Sequence, residues 1–161
     1  GVLKSGKTDD RINFIEKLRK ITSDVKFDIY GVDKVQPIWA DHYFKTIANA
    51  KMGLNLSRGE AIKYYSSDRI TQIIGNGLVC LIDQKTEYGD FFSNKEMVFY
   101  KNLSDLSEKI SKLSKDEKLR KSIGKKGKEK YMKYFNSKLV AQFIIDKTLG
   151  IENKNKYIWH K

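Results

Sequence analysis

Met52-Gly-Leu-Asn-Leu-Ser-Arg-Gly-Glu60, followed by Tyr64-Tyr-Ser-Ser-Asp-Arg-Ile-Thr-Gln-Ile-Ile-Gly-Asn-Gly77-Leu-Val-Cys-Leu-Ile-Asp83, is the stretch on which the fold turns. Met52–Ser57 has the composition of a strand, and Arg58–Ser67 is a polar and aromatic loop punctuated by Gly59. Ser66, Ser67 and Asp68 are the residue types that start helices, so a helix is expected over Asp68–Asn76, with Gly77 as its C-terminal stop. Leu78–Ile82 is then an unbroken apolar run. A strand without polar alternation is buried on both faces, as strands of parallel sheets are.

The pattern continues on both sides. A helix is expected over Asp9–Ile21, where Phe14, Ile15, Leu18 and Ile21 share a face, and a strand over Val25–Tyr30, closed by Gly31. Residues 32–39 read as a loop holding the single proline, and His42–Ala50 as a helix. Met97–Tyr100 gives a fourth strand. Beyond residue 102 the periodicity is purely helical. Leu103, Leu106, Ile110 and Leu113 form one stripe, Leu119, Ile123, Gly127, Tyr131 and Phe135 a second, and Ser137–Leu149 makes the last helix. Ser114 and Glu117 have the spacing of a capping box for the middle one. Strands alternating with helices imply βαβ units. The expected fold is therefore α/β: a Rossmann-like three-layer domain over residues 1–150, with a mostly parallel sheet of four or five strands and C-terminal helices, then a polar tail over 151–161.

Length and composition narrow the classes. A chain of 161 residues with 40% apolar residues suits one domain with a real core. No apolar run approaches a membrane span, and the first residues have no signal-peptide character. One cysteine and two histidines exclude an internal disulfide and make a zinc site improbable, so no metal is expected. The net charge of +12 is uneven. Residues 1–100 carry 15 basic and 13 acidic side chains, whereas 101–161 carry 17 and 7. Lysine outnumbers arginine 27 to 5, a bias that AT-rich coding produces. The basic half therefore reads either as solvated helices or as a face for an anionic surface.

Several motifs compete for the function. Gly1-Val-Leu-Lys-Ser-Gly-Lys7-Thr8 matches the phosphate-loop pattern, and Leu78–Asp83 resembles a strand ending in a magnesium-holding aspartate. Such a loop works only between a buried strand and a helix, and no strand precedes Gly1 here. Cys80 within the apolar run reads as a small buried hydrophobe rather than as the partner of His42. Gly75 and Gly77 lack the third glycine of a dinucleotide fingerprint. The run Lys125, Lys126, Lys128 and Lys130 has one aromatic neighbour, too few for nucleic-acid recognition.

The helix start at 66–69 carries more. A helix N-terminus offers unpaired N–H groups and a positive dipole end to an anion, and Arg69 adds a charge suited to phosphate. The plain alternative has the serines capping the helix and Arg69 paired with Asp68 or Glu60.

From about Ile29 to Leu149 the chain resembles the C-terminal, donor-binding domain of GT-B-fold glycosyltransferases, in the spore-maturation-protein-like group of family 1 glycosyltransferases. The resemblance runs through Asp28–Gly31, Ala50–Ser57, Arg69–Gly77, Glu87–Glu96 and the paired helices with Asp116–Arg120 and Gly124–Gly127. It implies sugar transfer from a nucleoside-diphosphate sugar to an unidentified acceptor. The donor pocket would be lined by Ser57, Arg58 and Gly59, with Ser66, Ser67 and Arg69 near the diphosphate. Gln72 stands where the family has a ribose-binding glutamate, and Tyr64 where it often has an acidic residue. Catalytic residues are not assigned. No cofactor is implied beyond the nucleotide-sugar substrate, and no nucleic-acid partner.

The resemblance also implies that the chain is the C-terminal half of a larger enzyme, inactive without an N-terminal domain. A cytoplasmic location is expected, with the inner membrane face as a place of peripheral contact. The rival classes are a phosphate-loop NTPase built on Gly1–Thr8, which would need magnesium, and a noncatalytic basic module binding nucleic acid or membrane.

Overall fold

The computed structural model describes residues 10–32, 34–57, 59–65, 67–152 and 157–159. The motif Gly1–Thr8, Arg58 and Ser66 lie outside these residues. The elements are α1 (Asp10–Ile21), α2 (Ala40–Asn49), β1 (Met52–Asn55), α3 (Asp68–Gly75), β2 (Val79–Asp83), β3 (Val98–Tyr100), α4 (Leu103–Lys115), α5 (Glu117–Tyr134) and α6 (Ser137–Thr148). Two short 3₁₀ turns, Gln84–Thr86 and Tyr88–Asp90, connect β2 to β3.

The strands lie in the order β1-β2-β3, all parallel, with Met52 opposite Val79 and Leu81 opposite Val98. The apolar run of β2 is central for a physical reason: alternate side chains enter two different cores. Val79 and Leu81 pack with Leu18 of α1 and with Leu106 and Ile110 of α4. Cys80 and Ile82 pack with Ile70, Ile73 and Ile74 of α3 on the opposite face. Each fully buried Leu or Ile contributes on the order of 1.5–3 kcal/mol, so both faces are strongly held. The result is a three-layer α/β domain of Rossmann type.

The sheet is smaller than the sequence predicts. Among the described residues it has three strands, not four or five. The missing strand is Val25–Tyr30, which opens on a bend at Val25 and joins no ladder of the sheet. Its alternation is real: Val25 and Phe27 face the first core, and Lys26 pairs with Asp28 at 3.1 Å on the outer side. Alternation reports which face a side chain takes, not whether the backbone finds a ladder.

Close approach explains the glycines. A Cβ on Gly53 of β1 would lie 2.5 Å from Ile73, so α3 settles directly on that strand. On α5, a Cβ on Gly124 would lie 2.0 Å from the Gly77 carbonyl oxygen, and one on Gly127 2.3 Å from that of Glu96. Gly77 and Glu96 lie two residues before β2 and β3, so α5 runs across the amino-terminal ends of both strands.

Arg120 of α5 is buried and donates to the carbonyls of Leu113 at 2.7 Å and Ser114 at 3.3 Å, satisfying the C-terminal end of α4. The capping box expected at Ser114 and Glu117 is not formed. Asp116 caps α5 by accepting from the Leu119 N–H at 2.8 Å, while Ser114 donates to the Ser111 carbonyl. An aspartate next to the helix offers the cap with a shorter reach.

Residues 157–159 fold back on α6. Tyr157 is buried and its hydroxyl donates to the buried Asp146 at 2.5 Å. Trp159 lies between Phe135, tilted to it with ring centres 5.3 Å apart, and Phe143, edge-on with ring centres 5.9 Å apart.

Candidate functional site

Parallel sheets place their binding crevices outside the carboxyl ends of the strands, where the following helices begin. Here those ends are Asn55 and Asp83, with α3 starting above β1. Asn55 is buried, although it ends an otherwise apolar strand, and two donors meet its Oδ1. The Ser67 hydroxyl lies at 2.9 Å and Arg69 Nη1 at 3.4 Å. Arg69 also donates to the Leu56 carbonyl at 3.0 Å. The guanidinium is thereby turned back over the end of β1.

Neither plain alternative from the sequence is realised among the described residues. Ser67 stands at the N-cap position of α3, yet its side chain does not cap the helix, because its hydroxyl is committed to Asn55. Arg69 pairs with neither Asp68 nor Glu60; its partners are carbonyl oxygens. A half-buried guanidinium with no carboxylate beside it among the described residues has donors to spare. The first turn of α3 adds its own positive dipole end.

The C-terminal end of α3 fixes that helix in place. Gly77, at φ +75°, allows a Schellman turn in which its N–H bonds the Ile74 carbonyl at 2.8 Å and the Leu78 N–H bonds that of Ile73 at 3.1 Å. Gln72 lies one turn beyond Arg69 on the same face of the helix. Its Oε1 accepts from the hydroxyl of Tyr43 on α2. Its backbone carbonyl accepts from Asn76 Nδ2 at 2.7 Å.

The loop above the strands folds onto the turn after β2. The Tyr64 N–H donates to the Thr86 carbonyl at 2.9 Å, and the Tyr64 hydroxyl donates to Asp90, which raises the phenol's pKa. Lys63 pairs with Glu87, and that bond holds its ammonium above the ordinary lysine value. Tyr64, at the position where an acidic residue is absent, therefore delivers its hydroxyl to one.

Of the site residues expected from the sequence, Ser67 and Arg69 meet at Asn55 by the start of α3, Gln72 lies one turn further on against Tyr43, and Ser57 follows the end of β1. Gly59 is exposed at φ +70° with open space around it. Arg58 and Ser66 lie outside the described residues. Sequence reasoning missed Asn55 and Tyr43. Asn55 carried a signal, a polar residue closing an apolar strand; Tyr43 carried none.

The rival chemistry finds little support in the geometry. Asp83, the aspartate a phosphate-loop enzyme would use, accepts the Lys85 N–H at 2.9 Å and caps the following turn. Cys80 is fully buried, and desolvation pushes its thiol up to about 12, which leaves it inert. His42 lies exposed on α2 against the ring of Tyr30. A cavity of about 150 Å³ lies beside α1, lined by the apolar Ile12, Ile15, Phe27 and Ile29 and by the charged Glu16 and Arg19, among others. It belongs to the α1 layer, not to the crevice beside α3. No helix among the described residues is long and apolar enough to cross a membrane.

A Rossmann-type domain that turns a cation and polar side chains over its strand ends carries them where open parallel sheets bind their ligands. The sequence matches the glycosyl transferase-like family over residues 11–146, and the chain belongs to that family. No curated protein and no solved structure matches the chain.

Proposed function

We propose that this domain holds the donor of a glycosyl transfer, a nucleoside-diphosphate sugar, as the C-terminal domain of a GT-B-type enzyme would. The observation that carries the reading is Arg69: a half-buried cation over the end of β1, on the first turn of α3, without a carboxylate partner among the described residues. Cleaving a nucleoside-diphosphate sugar leaves a diphosphate carrying new negative charge. A fixed guanidinium and the helix N-terminus stabilise that charge where it develops. Ser57 adds a hydroxyl next to the Leu56 carbonyl that Arg69 holds, Ser67 keeps Asn55 in place, and Gln72 offers a carboxamide one turn further along α3.

Calorimetry with UDP, GDP and ADP in the presence of a chelator tests the reading. Binding of at least one nucleotide is expected, weakened in the Arg69→Ala protein and unaffected in Lys7→Ala. Binding that survives loss of Arg69 but disappears with Lys7 or with the chelator would favour the phosphate-loop NTPase instead.

A further inference from the structure

Asn55 closes β1 two residues beyond Gly53, on the strand face that α3 covers, and it is only 3% exposed. A buried carboxamide is costly unless it is bonded, and an apolar residue would pack there without that cost. Its Oδ1 accepts from Ser67 Oγ at 2.9 Å and from Arg69 Nη1 at 3.4 Å, which occupies both lone pairs. We infer that Asn55 is a positioning residue: its neutral amide ties one nitrogen of Arg69 to the end of β1 without cancelling the charge that an anion needs.

This rests on the reading of Arg69 as the partner of the diphosphate and deepens it. Nη1 also donates to the Leu56 carbonyl at 3.0 Å, so both of its hydrogens are in use. Nη2 and Nε donate to no described residue. That pair carries the two parallel N–H bonds with which a guanidinium grips a phosphate. Holding the arginine by Nη1 alone therefore fixes the group and leaves its gripping edge unspent. A side chain already fixed loses less freedom when the ligand arrives. An aspartate at position 55 would have the same shape and would accept from the same two donors. It would also set a negative charge within hydrogen-bond distance of the guanidinium and cancel much of the attraction for an anion. The amide, in place of a carboxylate, sets the anion affinity at the start of α3.

Calorimetry with UDP, GDP and ADP in the presence of a chelator tests this on the wild-type chain, Asn55→Asp and Asn55→Ala, each with and without Arg69→Ala. Asn55→Asp should weaken binding by about tenfold or more, the scale of a charge-assisted hydrogen bond, with a melting temperature at or above that of Asn55→Ala. Asn55→Ala should weaken binding less, by about threefold, because the cation survives but is no longer held. A residue that only stabilises the fold predicts the reverse order, since aspartate keeps both hydrogen bonds and alanine keeps neither. Adding Arg69→Ala should cost less in either variant than in the wild type, as expected when one residue acts through the other. If Asn55→Asp does not fold, that comparison in Asn55→Ala decides alone. Binding by Asn55→Asp as tight as the wild type, or an Arg69→Ala loss equal in every background, would overturn the inference while the nucleotide reading stands. Absence of any Arg69-dependent nucleotide binding would overturn the reading and the inference together.

Discussion

The two ends of the sheet are built on opposite principles. At the amino-terminal end, α5 lies on the backbone that leads into β2 and β3, with Gly124 and Gly127 leaving no space for a side chain. Polar groups there are internally paired: Arg120 satisfies the last carbonyls of α4, and Lys130 reaches Glu96 at 3.4 Å. At the carboxyl-terminal end, Ser67 and Arg69 meet at Asn55 Oδ1, Arg69 also reaches the Leu56 carbonyl, and Gln72 accepts from Tyr43, which leaves a cation and an amide donor over. One end is closed by backbone contact. The other is held in shape by side chains whose bonding capacity is not used up. Stability and binding are thereby assigned to different residues, and each can be broken without the other.

The largest effect is expected at the closed end. Gly124→Ala would place a methyl group 2.0 Å from a backbone oxygen that has no rotamer to adopt. The cost should be about 4 kcal/mol or more, because α5 must lift from the strands. Urea unfolding would show this as a lower midpoint, while Gly89→Ala, with open space around it, should stay within about 0.5 kcal/mol. Equal midpoints for the two variants would remove the closed end from the comparison.

Arg69→Ala addresses the open end. It should weaken nucleoside-diphosphate binding by roughly 1.5–3 kcal/mol, the scale of a charge-assisted hydrogen bond. Stability should change by no more than about 1 kcal/mol, since the carbonyl it leaves is near solvent. An unfolding midpoint that falls as far as the Gly124→Ala one would mean that Arg69 is a structural residue.

Arg120→Met is the intermediate case, an apolar replacement of similar length. Leaving the Leu113 carbonyl buried and unpaired should cost about 1–3 kcal/mol, read from the same urea curves, with no effect on nucleotide affinity.

The smallest effect concerns acid. Asp105 accepts from Lys109 Nζ at 2.8 Å and from the Lys101 N–H at 2.8 Å. Chiefly the bond to Lys109 holds its carboxyl below the ordinary aspartate value. A depressed folded value means that this contribution to stability is present above the unfolded pKa, about 3.9, and is lost as the pH falls through the folded one. Asp105→Asn should therefore lower stability slightly at pH 7 and flatten the decline below about pH 4 by the same amount, read from urea curves at both pH values.

How far the sequence announces each end follows from the same contrast. The closed end is legible because the apolar run Leu78–Ile82 admits only a strand buried on both faces. The helical stripes of α4 and α5 are legible through their spacing. Pairing is less so: Val25–Tyr30 alternates correctly, yet it joins no ladder of the described sheet. At the open end, Ser67 and Arg69 are visible as a helix start, but their partner Asn55 lies 12 and 14 residues away and is chosen by the crossover between β1 and α3. Tyr43 and Gln72 are farther apart still, and no local pattern joins them. Local chemistry writes the elements; the contacts between crossing elements build the site.

The central claim is that the nucleotide lies over the carboxyl end of β1 and the start of α3. Amide chemical-shift mapping with UDP, GDP or ADP in the presence of a chelator tests it most directly. The shifts should centre on Asn55, Ser57, Ser67, Arg69 and Gln72, with Gly124 and Gly127 unmoved. Shifts centred on Gly1–Thr8, or on α5, would contradict it.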